Sequence, residues 1–173
     1  MLYKLLLILL PFIISGEDHL IDWSASRKLT WDDFKGPADV NSQMVALTSS
    51  TIKVEFSFND KLFTHSIRCR FNKQKSWVTR KNDYILNHEQ GHFDITEIHA
   101  RILKKELVEY KFNGKTVNKD INNIYSDVMK RHVSTQQEYD LETNHSIDST
   151  KQKVWDNKID SLLNRYKKWA DYK

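Results

Sequence analysis

The chain has 173 residues, of which 39% are hydrophobic and 29% charged, which suffices for one globular core but not comfortably for two. Its net charge of +4 is dispersed along the chain, and no basic stripe with interleaved stacking aromatics argues for a nucleic-acid partner. Cys69 is the only cysteine, so the fold has no internal disulfide and depends on its core or on a metal.

Residues 1–16, MLYKLLLILLPFIISG, place one Lys before an apolar stretch that ends at small residues. This is the layout of a secretory signal. The run from Leu5 to Ile14 is short for a bilayer span, and Pro11 interrupts it. The expectation is therefore a removed leader, a secreted or periplasmic protein, and no stable membrane insertion afterwards. A retained anchor is the alternative, because Ile14 fits poorly two places before a cut at Gly16. Residues 17–173 are expected to form a single domain.

Residues 17–45 carry few periodic signals and read as turns and short pieces. Within them, LTWDDFKG suggests a helical turn capped by Thr30, with Asp33 three residues on. From Thr51 to Phe58, Ile52, Val54, Phe56 and Phe58 alternate with polar residues, and Phe63, His65, Ile67, Cys69 and Phe71 repeat the alternation after a turn at Asn59 and Asp60. The period of two predicts a hairpin, with His65 packed on its apolar face. Trp77 and Val78 suggest a further short strand.

Beyond Lys81 the period becomes helical. Asn82 or Asp83 can cap a helix running to about Tyr110, where Asn113 and Gly114 stop it. A second helix is predicted from about Lys119 to Glu138, on the recurrence of Ile121, Ile124, Val128, His132 and Tyr139. A third begins at Ser149, whose spacing to Gln152 suits a capping box, and buries Trp155, Ile159, Leu162, Tyr166 and Trp169. A sheet followed by helices is an α+β arrangement.

The first helix contains the segment HEQGH. His88 and His92, four residues apart, project from one helical face about 5–6 Å apart, so that two nitrogens can reach one ion. A catalytic zinc takes three protein ligands and leaves a position for water. Glu89, beside the first ligand, is placed to act as general base toward that water. Gly91 in mid-helix costs about 1 kcal/mol relative to Ala, which points to a close backbone approach, here to a strand beneath the site.

The third ligand must come from elsewhere. His99 lies two turns past His92, about 10 Å further along an unbroken helix. The segment YDLETNH offers Tyr139, Asp140, Glu142 and His145; His145 is preferred, with Glu142 as the substitute. His132 reads as a packed helix residue. Asp94 or Glu97 can orient a ligand histidine, and Glu97 can equally pair with Arg101 on the surface. Tyr139 suits either an oxyanion donor or the core.

LTWDDFKG, SWV, LNHEQGHFDITEIHAR and YDLETNH, followed by Gln152 and Trp155, resemble a bacterial family of uncharacterised domains described as secreted zinc-dependent proteases. The resemblance spans nearly the whole chain after the leader. It implies a zincin-like fold, a small sheet packed on an active-site helix and two further helices, with zinc on His88 and His92 and Glu89 as acid and base. It also marks YDLETNH as part of the site, which supports His145; Gly often follows that histidine in the family where Ser146 stands here. The family's activity is itself inferred from the motif.

The sequence thus points to a zinc metallopeptidase that hydrolyses peptide or protein substrates, with an edge of the Thr51–Phe71 hairpin aligning the extended chain. The rivals are a non-catalytic zinc-binding envelope protein and a cell-wall peptide amidase.

Overall fold

The computed structural model describes residues 17–39, 41–42, 44–59 and 62–171. The expected leader, residues 1–16, and the turn residue Asp60 lie outside them. Five strands precede three helices: β1 (Leu20–Asp22), β2 (Ala46–Leu47), β3 (Ser50–Phe58), β4 (Phe63–Asn72), β5 (Trp77–Val78), α1 (Asp83–Glu109), α2 (Val117–Thr143) and α3 (Ser149–Arg165). The architecture is α+β, as the order of periodicities predicts. Among the described residues, no helix is long and apolar enough to cross a membrane.

β3 and β4 form the predicted antiparallel hairpin, in register from Ser50 opposite Phe71 to Phe58 opposite Phe63. β1 adds to the far side of β4, giving the order β1-β4-β3, while β2 and β5 form a separate antiparallel pair. The short β1 falls in the stretch 17–45 read as turns and β2 just past it; two or three residues cannot display a period. His65 packs as expected: its ring stacks on Phe63 with centroids 5.5 Å apart.

The inward face of the hairpin, Ile52, Ile67, Cys69 and Phe71, packs with Phe93, Ala100 and Leu103 of α1. A second cluster of Ile95, Ile98, Tyr139, Trp155 and Ile159 joins α1 to α2 and α3. With the sheet on one side and two helices on the other, α1 is buried nearly all round. Truncating a fully enclosed residue such as Leu103 to Ala would cost about 2–5 kcal/mol.

A buried helix with many polar residues must satisfy each of them. Asp94 accepts from the Trp23 indole at 2.6 Å and from Gln90 Nε2 at 2.8 Å, and pairs with Lys28. It thereby fastens the N-terminal segment to α1 instead of orienting a histidine. Glu97 and Arg101 do pair, at 2.9 Å, but in the interior, where Trp23 lies over the guanidinium. The Thr30 turn forms as predicted: the Asp33 carboxylate accepts from the Thr30 backbone N–H at 2.8 Å.

The helix ends differ from the sequence reading in two informative ways. α2 runs on to Thr143 and stops at Asn144, the first of three consecutive residues with positive φ, Asn144 (48°), His145 (50°) and Ser146 (70°). α3 begins at Ser149, but Asp148 supplies its cap by accepting from the Lys151 N–H at 2.9 Å. Gln152, freed from a capping role, turns its side chain toward His88.

Candidate metal centre

α1 and α2 run antiparallel, matching His88 with Asp140, His92 with Gln136, Thr96 with His132 and Glu106 with Arg131. The His88 and His92 Nε2 atoms lie 3.2 Å apart. Asp140 Oδ1 sits 3.2 Å from the first and 3.0 Å from the second. These three residues form a group capable of holding a metal ion. Asp140 belongs to the His132, Gln136, Asp140 row of α2, spaced by four along one face.

The protons on both imidazoles can be assigned from groups that only accept. Gln152 Nε2 lies 2.9 Å from the Asp156 carboxylate and 2.7 Å from the Tyr139 hydroxyl. The carboxylate fixes which end of the amide is nitrogen, so Gln152 Oε1 is the atom 2.9 Å from His88 Nδ1. An amide oxygen only accepts; His88 Nδ1 therefore carries a proton, and in the neutral imidazole Nε2 is the bare nitrogen. Gln136 repeats the logic. Its Nε2 donates to the His92 carbonyl at 2.9 Å, and its Oε1 accepts from His92 Nδ1 at 2.6 Å.

With both imidazoles neutral, three donor atoms thus converge on one point. Positive charge at the centre of the triangle is favoured there, and a proton on Nε2 or a divalent cation supplies it. The observed separations are close to the edge of about 3.3 Å that tetrahedral ligands at about 2.0–2.1 Å from zinc would span. The proton affinities follow the same electrostatics. Burial pulls His92 down, but the Asp140 hydrogen bond and the Glu89 charge outweigh it and hold the imidazole above its ordinary value. Burial pushes Asp140 up, yet the contacts with His88 and His92 prevail and hold it well below the carboxylate range.

A cleft of about 940 Å³ opens beside the triad, lined by Met44–Ser50, Tyr84, Ile85, Asn144–Ile147 and the site residues. Glu89 is buried in its wall, and its Oε2 has no hydrogen-bond partner. A carboxylate oxygen left in this way is costly unless a donor arrives from the cleft. Among the described residues of the Thr51–Phe71 hairpin none lines the cleft; Ser50 at the start of β3 does, together with β2 and the segments flanking it.

His145 stands at the lip, 61% exposed, with Nδ1 3.8 Å from Asp140 Oδ1. It is a neighbour of the triad and lies outside the compact group. Glu142 points elsewhere: its Oε2 accepts from the Trp155 indole at 2.8 Å. His99 is also apart, its Nδ1 held by the Ile95 carbonyl at 2.9 Å. His132 is packed, as predicted. Its Nε2 lies 3.0 Å from both Thr96 Oγ1 and Gln136 Nε2, so the proton sits on Nδ1, which is buried without a partner.

Tyr139 belongs to the core. It is fully buried, its ring stacks on His88 at 4.5 Å, and its hydroxyl donates to the His88 carbonyl at 3.2 Å. It also accounts for Gly91, whose close neighbour is this ring and not a strand. Gln136 and Gln152 orient the histidines; the sequence reading passes over Gln136 and gives Gln152 only a capping role and a place in the resemblance, because glutamine carries no charge and belongs to no metal-ligand pattern.

No curated protein and no solved structure matches the chain. Residues 23–146, more than half of the chain and including His88, Glu89, His92, Asp140 and His145, match a family model described as a bacterial protein of unknown function. The chain is a member of this family, DUF922.

Proposed function

We propose that the chain is an exported, zincin-like zinc metallopeptidase whose ion is held by His88, His92 and Asp140. The observation that carries this reading is the convergence of three metal-ligating donor atoms in the wall that also holds the unpartnered Glu89 carboxylate. His145 is the next donor in reach and competes with Asp140 for the role of third ligand.

Zinc at such a centre polarises a carbonyl and lowers the pKa of bound water to about 7. Gln152 and Gln136 accept from the Nδ1 of the two imidazoles, so that each presents Nε2 to the ion. Glu89 accepts the proton of the attacking water and returns it to the departing amine. An extended peptide is accommodated along Met44–Ser50, where β2 pairs with β5 on one side only.

The test is elemental analysis of the purified protein together with peptide hydrolysis before and after chelation. One equivalent of zinc and activity restored by added zinc are expected. A protein that neither contains nor takes up zinc would remove the proposal.

A further inference from the structure

We infer that Gln152, reaching in from α3, is a positioning residue of the metal centre that locks His88 in the tautomer presenting Nε2 to the ion. The inference rests on the metal reading above. It adds a requirement from outside the span matched by the family, which ends at residue 146.

Gln152 is 2% exposed, and its hydrogen bonds form one closed circuit. Asp156 and Tyr139 take its two amide protons at 2.9 and 2.7 Å. Tyr139 passes its own proton to the His88 backbone carbonyl at 3.2 Å, and the His88 ring returns one from Nδ1 to Gln152 Oε1 at 2.9 Å. Reversing the amide would set its oxygen against the Asp156 carboxylate, so the circuit has one sense. Its effect is to protonate the His88 nitrogen remote from the triad and so, in the neutral imidazole, to leave the nearer one bare. Without the acceptor, a neutral imidazole is free to carry its proton on Nε2, the form that cannot ligate. Partners of this kind typically contribute a factor of about 10–100 to metal affinity.

Gln152→Met keeps the side chain's length and removes the acceptor. Gln152→Glu, made together with Asp156→Asn so that no two carboxylates face each other, keeps an acceptor and loses the donation to Tyr139. Ile159→Ala loosens the packing of α3 without touching the circuit. For each variant, zinc affinity is measured by chelator competition, the His88 tautomer by 15N imidazole NMR on zinc-free protein, and folding by circular dichroism.

The expected results are His88 protonated at Nδ1 in the wild type, mixed tautomers and at least tenfold weaker zinc binding in Gln152→Met, and affinity within a few-fold of wild type in the Gln152→Glu, Asp156→Asn double variant and in Ile159→Ala. Wild-type affinity or an unchanged tautomer in Gln152→Met overturns the inference while leaving the metal reading intact. Equal weakening by Ile159→Ala assigns the effect to α3 packing and overturns it too. If Gln152→Met does not fold, the Gln152→Glu, Asp156→Asn double variant decides: a loss beyond tenfold overturns the inference. A wild-type protein that binds no zinc removes the metal reading and the inference together.

Discussion

The Tyr139 hydroxyl occupies the space where a β-carbon on residue 91 would stand, and the Tyr139 Cζ lies only 2.8 Å from that point. In an ordinary helix interior, Gly→Ala is stabilising by about 1 kcal/mol. Gly91→Ala should do the opposite and cost about 1–3 kcal/mol, because the ring it strikes is buried and tied at its hydroxyl. Thermal unfolding reads the sign directly. A variant as stable as the wild type would mean that Tyr139 can step aside.

Glu89→Gln preserves the shape of the side chain and removes its basicity. Peptide hydrolysis should fall by about 10²–10⁴-fold, while zinc content measured by elemental analysis stays at the wild-type level. Retained turnover would take the general-base role away from Glu89.

Asp140→Ala removes an oxygen 3.0 Å from His92 Nε2, and zinc should no longer copurify at stoichiometric levels. Glu142→Ala should keep its zinc and instead lose about 1–2 kcal/mol of stability, because the Trp155 indole N–H loses its acceptor. His145→Ala completes the set. If that variant loses zinc while Asp140→Ala retains it, the third ligand is the histidine.

Burial, reinforced by the nearby His99 and His92, pushes His132 down to about 4 from its ordinary 6.5. Between those values the unfolded chain binds a proton that the folded chain refuses. The stability contribution is therefore complete above pH 6.5 and is lost as pH falls toward 4. Relative to His132→Gln, the wild type should lose about 2 kcal/mol between pH 7 and pH 5 in denaturant titrations. Parallel pH curves for the two proteins would rule out His132 as the source.

What the sequence makes legible follows from what it can encode locally. Long elements announce themselves by period: the β3–β4 hairpin and all three helices start and stop within a few residues of their expected limits. His88, Glu89 and His92 are readable because a single helix fixes their spacing. Asp140 is harder to single out, since it depends on α2 continuing past Glu138 in the register of His132 and Gln136. Ending that helix early turns its last residues into a mobile end, from which a histidine is the better-placed ligand. Gln152 can be placed only by knowing that α3 folds back across α1, a long-range fact that no local pattern carries.

His88 lies near the start of α1 and Asp140 near the end of α2, while the connector at 110–116 joins the opposite ends of the same pair. A cation bridging them would work as a clasp across the unlinked mouth of a helical hairpin whose other end is closed by covalent chain. Stripping it should let the pair splay from that mouth, so that amide exchange quickens around Ile85 and Thr143 well before it does near Leu107 and Val117.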